Sequence, residues 1–139
     1  MINDKSKRIL SRQTPELIGQ KVILAGWVKT RRDHGKLIFL DLRDRSGIVQ
    51  LVVNPKVSQE AYKKAQDLKP EYVIKVDGTV RERPAPTINK ELETGSVEIE
   101  IERVGISEAE VKRIAPMRLA AKLEVSKQNI EISSMKIVF

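Results

Sequence analysis

An aromatic, Phe39, sits among cations in the middle of the stretch from Gly26 to Gln50, with Lys29, Arg31, Arg32, Lys36, Arg43 and Arg45 around it. Two strand-like runs joined by turns carry these residues. Basic charge beside an outward ring on a small sheet suits the binding of single-stranded nucleic acid. The cations offset phosphate charge, and the ring gives an unpaired base a face to stack on.

Period-2 alternation sharpens this. From Leu37 to Arg43, Ile38, Leu40 and Leu42 form an apolar set, and Leu37, Phe39, Asp41 and Arg43 form the opposite face. From Ile48 to Val53, Val49, Leu51 and Val53 point inward, which leaves Gln50 outward with Ile48 and Val52. Asp44-Arg45-Ser46-Gly47 is a tight hairpin signal. If Arg43 faces Ile48, then Phe39 faces Val52 and Gln50 lies diagonally beside the ring. A stacking ring next to a side-chain amide is a base reader. Parity alone leaves open the other reading, with Phe39 as ordinary core.

Composition narrows the classes. The chain has 139 residues, 40% of them hydrophobic, and a net charge of +7. That is room for one domain of ordinary size plus an appendage, with a real core and a modest bias toward anionic partners. Without cysteine and with a single histidine, a disulfide framework, a cysteine zinc site and a histidine metal cluster are excluded. No apolar run approaches the ~20 residues that span a bilayer, so no membrane partner is expected, and the chain reads as cytoplasmic.

The elements that must position Phe39 and Gln50 follow from the same patterns. Residues 1–13 read as a basic, solvated tail. Thr14-Pro15 through Gly19 reads as a short helix with Thr14 as N-cap, Pro15 at the first helical position and Gly19 as stop. Lys21 to Arg31 is a first strand, in which Gly26 marks a sharp bend or a close backbone approach. After the two strands already described, Ser58 to Lys69 reads as a helix capped by Ser58 and ended by Pro70. Tyr72 to Arg83 is a fourth strand, with Lys75, Asp77, Thr79, Arg81 and Arg83 outward. Pro84 to Gly95 is a loop, and Ser96 to Arg103 is a fifth strand with Glu98, Glu100 and Glu102 outward. The fold class is therefore all-β with one inserted helix. Five strands with a helix between the third and fourth is the order of an OB-fold barrel, whose second and third strands bind oligonucleotides.

At this point the residues carry a signature. Gly26-Trp27-Val28, Arg31-Arg32-Asp33-His34-Gly35, Ile38-Phe39, Asp41-Leu42-Arg43-Asp44-Arg45, Gly47 and Val49-Gln50 together resemble the anticodon-binding OB domain of bacterial-type aspartyl-tRNA synthetases. The resemblance continues through Asn54-Pro55, Tyr72-Val73-Ile74, Gly78-Thr79-Val80-Arg81, Arg83, Ile88-Asn89 and Thr94-Gly95, and covers roughly residues 8 to 104. Related class IIb domains for lysine and asparagine share the fold. The resemblance implies that the domain grips a tRNA anticodon loop and reads a GUC or QUC triplet. It implies that Phe39 stacks on the central uridine and Gln50 hydrogen-bonds it, that Arg32 holds the loop, and that Arg83, Asn89 and Glu98 approach the flanking bases. The alternation of residues independently favours Phe39 and Gln50 and allows Glu98. It does not turn Arg32 outward without a bulge or a strand end, so Arg32 rests on the resemblance.

Other residues carry less. His34 lies in a turn without a nucleophile motif. Asp33, Asp41 and Asp44 interleave with Arg32, Arg43 and Arg45 and read as ion pairs that orient the arginines rather than as a metal cluster. Trp27 reads as a core or barrel-rim anchor. Beyond Val104 the resemblance ends. Ser107-Glu108-Ala109-Glu110 is a capping box, Met117 to Val125 a second helical piece, and Ile130 to Phe139 a strand, so 14–104 is taken as the OB domain and 105–139 as an extension of unknown role. The expectation is an RNA-binding module without catalysis or cofactor of its own, ATP and Mg belonging to the family's catalytic domain. Its partners would be a tRNA anticodon loop, that of the tRNA for aspartate, and a second copy or a catalytic chain. The competing expectation is an assembly subunit that docks a partner through its extension and has lost tRNA binding.

Overall fold

A computed structural model describes residues 8–107 and 137–138. A 3-10 helix, Ser11–Glu16, precedes strand β1, Lys21–His34. Then come β2, Leu37–Asp44; β3, Gly47–Val53; helix α1, Gln59–Ala65; and β4, Val73–Glu82. A second 3-10 turn, Ala85–Thr87, leads to β5, Val97–Ser107, and Ile137–Val138 forms β6. The sheet order is β3-β2-β1-β4-β5-β6, and β3 also pairs with β5 in parallel, so the first five strands close on themselves. This is the OB-fold barrel that the order of the elements predicts.

Closure sends one parity of every strand into a common core. Leu24, Val28, Ile38, Leu40, Leu42, Val49, Leu51, Ile74, Val76, Val80, Ile99 and Ile101 are fully enclosed. The hairpin register is the one deduced from sequence: Arg43 faces Ile48, Phe39 faces Val52, and Asp41 faces Gln50. Gly26 is a close approach, as its neighbours suggested. A Cβ there would lie 2.2 Å from the Arg43 carbonyl oxygen, so any larger residue pushes β1 off β2.

Three boundaries depart from expectation. The first helix begins at Ser11 rather than after Thr14, and it encloses Thr14 and Pro15. The cause is tertiary. The Ser11 amide donates to Asp44 Oδ2 at 2.8 Å and its hydroxyl to Oδ1 at 3.0 Å, while Thr14 is buried with its hydroxyl donating to the Ser11 carbonyl. Ile9 adds a backbone bond to Ile23, so residues 9–13, read as tail, lie against the barrel. The second departure is α1, which ends at Ala65. The chain then tightens into three-residue turns, Asp67 to Lys64 and Leu68 to Ala65, ahead of Pro70. Its start is as predicted, with the Ser58 hydroxyl accepting from the Ala61 amide at 3.1 Å. The third is β1, which runs on to His34 through an irregularity between Val28 and Thr30. Of the extension, Val138 pairs with Ile106 and Ile137 with Ser107. The rest of the expected capping box, the helical piece and residues 130–136 lie outside the described residues. Among the described residues no helix is long and apolar enough to cross a membrane.

Among the described residues Asp44 pairs with no arginine. It is the staple between the N-terminal segment and the β2–β3 turn, accepting from Ser11 and from the Ser46 amide and hydroxyl. Burial works to raise its pKa, but the hydrogen bonds from Ser46 and Ser11 outweigh it and hold the carboxyl below the usual carboxylate value. Its contribution to stability is therefore complete above the unfolded-state value near 3.9 and is lost as pH falls through the lower folded-state value. Asp44→Ala should cost about 1–3 kcal/mol at neutral pH, the range for leaving buried donors unsatisfied. It should also flatten the acid limb of a denaturant-derived stability profile measured between pH 7 and pH 3.

Candidate nucleic-acid interface

The outer face of β2, β3 and β5 carries a groove of about 470 Å³. Phe39, Gln50, Val52 and Glu98 form its floor, Arg32, Asp33, His34 and Leu37 one wall, and Arg81, Arg83, Pro84 and Thr87 the other. Barrel closure assembles the floor. Parallel pairing of β3 with β5 sets Gln50 opposite Glu98, and antiparallel pairing of β4 with β5 sets Arg81 opposite the same Glu98.

The polar groups form one chain. Arg32 Nη2 donates to Gln50 Oε1 at 3.0 Å, and Gln50 Nε2 donates to Glu98 Oε1 at 2.9 Å. Arg81 Nε donates to Glu98 Oε2 at 2.9 Å, and its Nη1 to Glu100 at 2.6 Å. Arg32 also meets Asp41 at 3.4 Å and lies over the Phe39 ring, 5.6 Å from its centroid. Gln50 and Glu98 face outward by alternation yet are only 5% and 3% exposed, because their neighbours cover them. The chain fixes the amide orientation. A flipped Gln50 would turn its NH2 toward a guanidinium and its oxygen toward a carboxylate.

Arg32 reaches this face through the irregularity in β1. Val28 pairs with Leu42 and Thr30 with Asp41, so Lys29 is an extra residue in a β-bulge. The bulge inverts the alternation beyond it. Arg32 comes to stand opposite Phe39, and Arg31 turns the other way. Arg31, expected among the phosphate-binding cations, instead donates to the carbonyls of Ala65, Gln66 and Leu68 and pairs with Asp33 at 2.9 Å. The hydrogen bond with Asp33 raises the arginine's pKa and lowers the carboxyl's. Lys29, Lys36, Arg43 and Arg45 are exposed and form no ion pair among the described residues, which leaves them available to an anion.

Arg83 and Trp27 are placed differently from the sequence reading, which put the first outward and the second in the core or at the barrel rim. Arg83 is 7% exposed rather than outward, with Nε on the Val97 carbonyl at 3.0 Å and Nη1 on the Thr87 carbonyl at 3.1 Å. Burial lowers its pKa, opposed by Glu98 and Asp41, but a guanidinium stays charged. Asn89 does not line the groove. Its Oδ1 accepts from the Glu91 amide at 2.9 Å, shaping the loop after Pro84. Trp27 is 38% exposed and is no core anchor. Arg81, which alternation put outward but which drew no role, belongs to the groove. Its signal was the carboxylate facing it across an antiparallel pair.

Comparison with known proteins gives the same picture. The tRNA anti-codon family, described as an OB-fold nucleic acid binding domain, matches residues 22–106. The aspartate–tRNA(Asp/Asn) ligase of Brachyspira hyodysenteriae is 53% identical over 91 residues, 66% of this chain and 16% of that protein. The aspartate–tRNA ligase of Staphylococcus haemolyticus is 52% identical over 93 residues, 67% of this chain and 16% of that protein. The chain thus spans about a sixth of the length of these relatives. Among solved structures, the asparaginyl-tRNA synthetase of Pyrococcus horikoshii complexed with asparaginyl-adenylate aligns at TM-score 0.61 and 36% identity, over 72% of this chain and 22% of that one.

The half-buried Phe39 and the enclosed Leu40 beside it provide a check on which face is core. Leu40→Ala should cost about 2–5 kcal/mol, the range for a cavity at a fully buried leucine. Phe39→Ala should cost clearly less, despite removing more atoms. Denaturant melts of the two variants decide it, and a larger loss for Phe39→Ala would return the ring to the core.

Proposed function

Since the chain belongs to the tRNA anti-codon family of OB-fold nucleic acid binding domains, we propose that it binds a tRNA anticodon loop, that of the tRNA for aspartate, and reads the central base in the groove over β2 and β3. The observation that carries this reading is the chain from Arg32 through Gln50 to Glu98 beside the Phe39 ring. A pyrimidine stacked on Phe39 brings its hydrogen-bonding edge to Gln50. With one lone pair on Oε1 held by Arg32 and one hydrogen on Nε2 held by Glu98, the amide keeps one acceptor and one donor in a set order. Uracil offers a carbonyl and an N–H that match that order. In the same pose cytosine puts an amino donor where uracil has O4 and a bare ring nitrogen where uracil has N3–H, and would need the flip that Arg32 and Glu98 oppose. The network thus supports uracil at the centre.

Arg32 stands 5.6 Å from the ring centroid, less than the two stacking separations of about 3.5 Å each that a sandwiched base needs. The guanidinium therefore shifts outward as the base enters and can stack on its far side. The exposed Lys29, Lys36, Arg43 and Arg45 then meet the loop phosphates. Arg83, Glu98 and the loop carrying Asn89 stand on the side of the flanking bases. The neighbouring catalytic chemistry and ATP use belong, in this reading, to the remainder of a ligase of which this domain is the RNA-reading part.

Titration with an anticodon stem-loop carrying uridine at the centre, against one carrying cytidine there, tests the reading. Wild-type protein should prefer uridine, and its affinity should fall visibly between low and moderate salt. Phe39→Ala should weaken binding by about 1–3 kcal/mol, the worth of one base–aromatic stack. Gln50→Ala should erase the preference while leaving weak binding in place. Equal and feeble affinity of the wild type for both loops would refute the proposal.

A further inference from the structure

β1 is paired on both sides only in its first half. Its ladder with β4 ends at Trp27, and the neighbouring chain accompanies it one residue further, where Val28 exchanges backbone bonds with Tyr72 and Glu71. From Thr30 to His34 the strand has β2 on one side. Along the other edge the tie is a side chain. Arg31 Nη1 lies 3.0, 2.6 and 3.0 Å from the carbonyl oxygens of Ala65, Gln66 and Leu68, at the C-terminal end of α1. Nε and Nη2 take the two oxygens of Asp33 at 2.9 and 3.1 Å. Helix-terminal carbonyls lack partners within their own helix and favour a cation, so this contact is energetically directed.

The structure assigns Arg31 as a positioning residue for the groove: by tying the open edge of β1 to the end of α1, it holds the backbone that presents Arg32 to Phe39 and Gln50. This rests on reading the groove as the RNA-binding surface. Arg31 touches none of the groove residues other than Asp33. Its effect passes through the peptide unit to Arg32, which the bulge sets on the opposite face. A direct role on phosphate is disfavoured by its geometry. All three of its nitrogens already donate to protein oxygens, and its side chain is only 21% exposed. Without the tie, β1 beyond the bulge is a one-sided strand, and the amide of Gln50 loses the donor that fixes its Oε1.

The first test needs no RNA. In the free protein the side-chain amide protons of Gln50 should be shifted and slow to exchange, and Arg31→Ala should move them to the positions of a solvated glutamine. Unchanged amide signals in a folded Arg31→Ala protein overturn the inference. The second test uses the uridine-centred stem-loop. Arg31→Ala should weaken it about tenfold, which is about 1.4 kcal/mol, while the slope of log affinity against log salt stays at the wild-type value. A slope lower by about 0.7, the single-strand value for one lost phosphate contact, would make Arg31 a direct RNA ligand and overturn the inference. If Arg31→Ala fails to fold, Arg31→Gln, with two donors in place of five, is measured in the same way. Failure of the wild type to prefer uridine would refute the proposed function, and the amide signals would still decide the role of Arg31.

Discussion

A carboxylate withdrawn from water needs partners, and in this barrel the carboxylate of Glu98 sets the arrangement around it. An isolated buried charge would cost several kcal/mol. The seam between β3 and β5 brings Gln50 to one oxygen, and the pairing of β4 with β5 brings Arg81 to the other, which offsets that cost. Each partner is then constrained in turn. Gln50 must turn its NH2 toward Glu98, its oxygen faces Arg32, and Arg32 settles over Phe39. One buried negative charge at the point of closure thus orders a surface that would otherwise consist of long, independently rotating side chains.

This explains why the polar groups of the groove are covered although alternation turns them outward. In an open sheet, Gln50 and Glu98 would be solvated and their rotamers free. In a closed barrel they lie between neighbouring strands and beneath Arg32 and Arg81, where hydrogen bonds are stronger and a missing partner is costly. The apolar core immediately below, with Leu51 and Ile99 fully enclosed, leaves the strands carrying Gln50 and Glu98 little freedom to move. Rigidity at the floor contrasts with the exposed cations at the rim, which suit a flexible, charged ligand whose backbone need not be held in one geometry.

How much of this was legible in the sequence depends on how local each cause is. The β2–β3 hairpin was read correctly down to the facing of Phe39 with Val52, because a four-residue turn and strict alternation leave one sensible register. Strand order and the barrel followed from element order. A bulge entered the sequence reading only as one condition for turning Arg32 outward, and its place at Lys29 could not be read, since that residue has no special backbone chemistry and the bulge exists only relative to β2. Arg83 was misjudged for a related reason: it lies past the end of β4, where alternation no longer applies, and the carbonyls of Thr87 and Val97 claim it. The first helix started early because Asp44, more than thirty residues away, supplies the acceptor that caps it.

The bulge also makes the groove depend on a register as well as on the identities of its residues. Lys29 forms no ion pair among the described residues, so replacing its side chain disturbs no such pair in the fold. Removing the whole residue would only regularise the ladder, because Val28 would stay opposite Leu42 and Thr30 opposite Asp41, with Arg32 still facing Phe39. Drawing Lys29 into the ladder is a different event. Arg31 would then stand opposite Phe39 and Arg32 opposite Ile38, so the two arginines would exchange faces without either changing type. The end of α1 would lose its cation while the ring gained the wrong one, and a single residue left out of the pairing is what keeps the two apart.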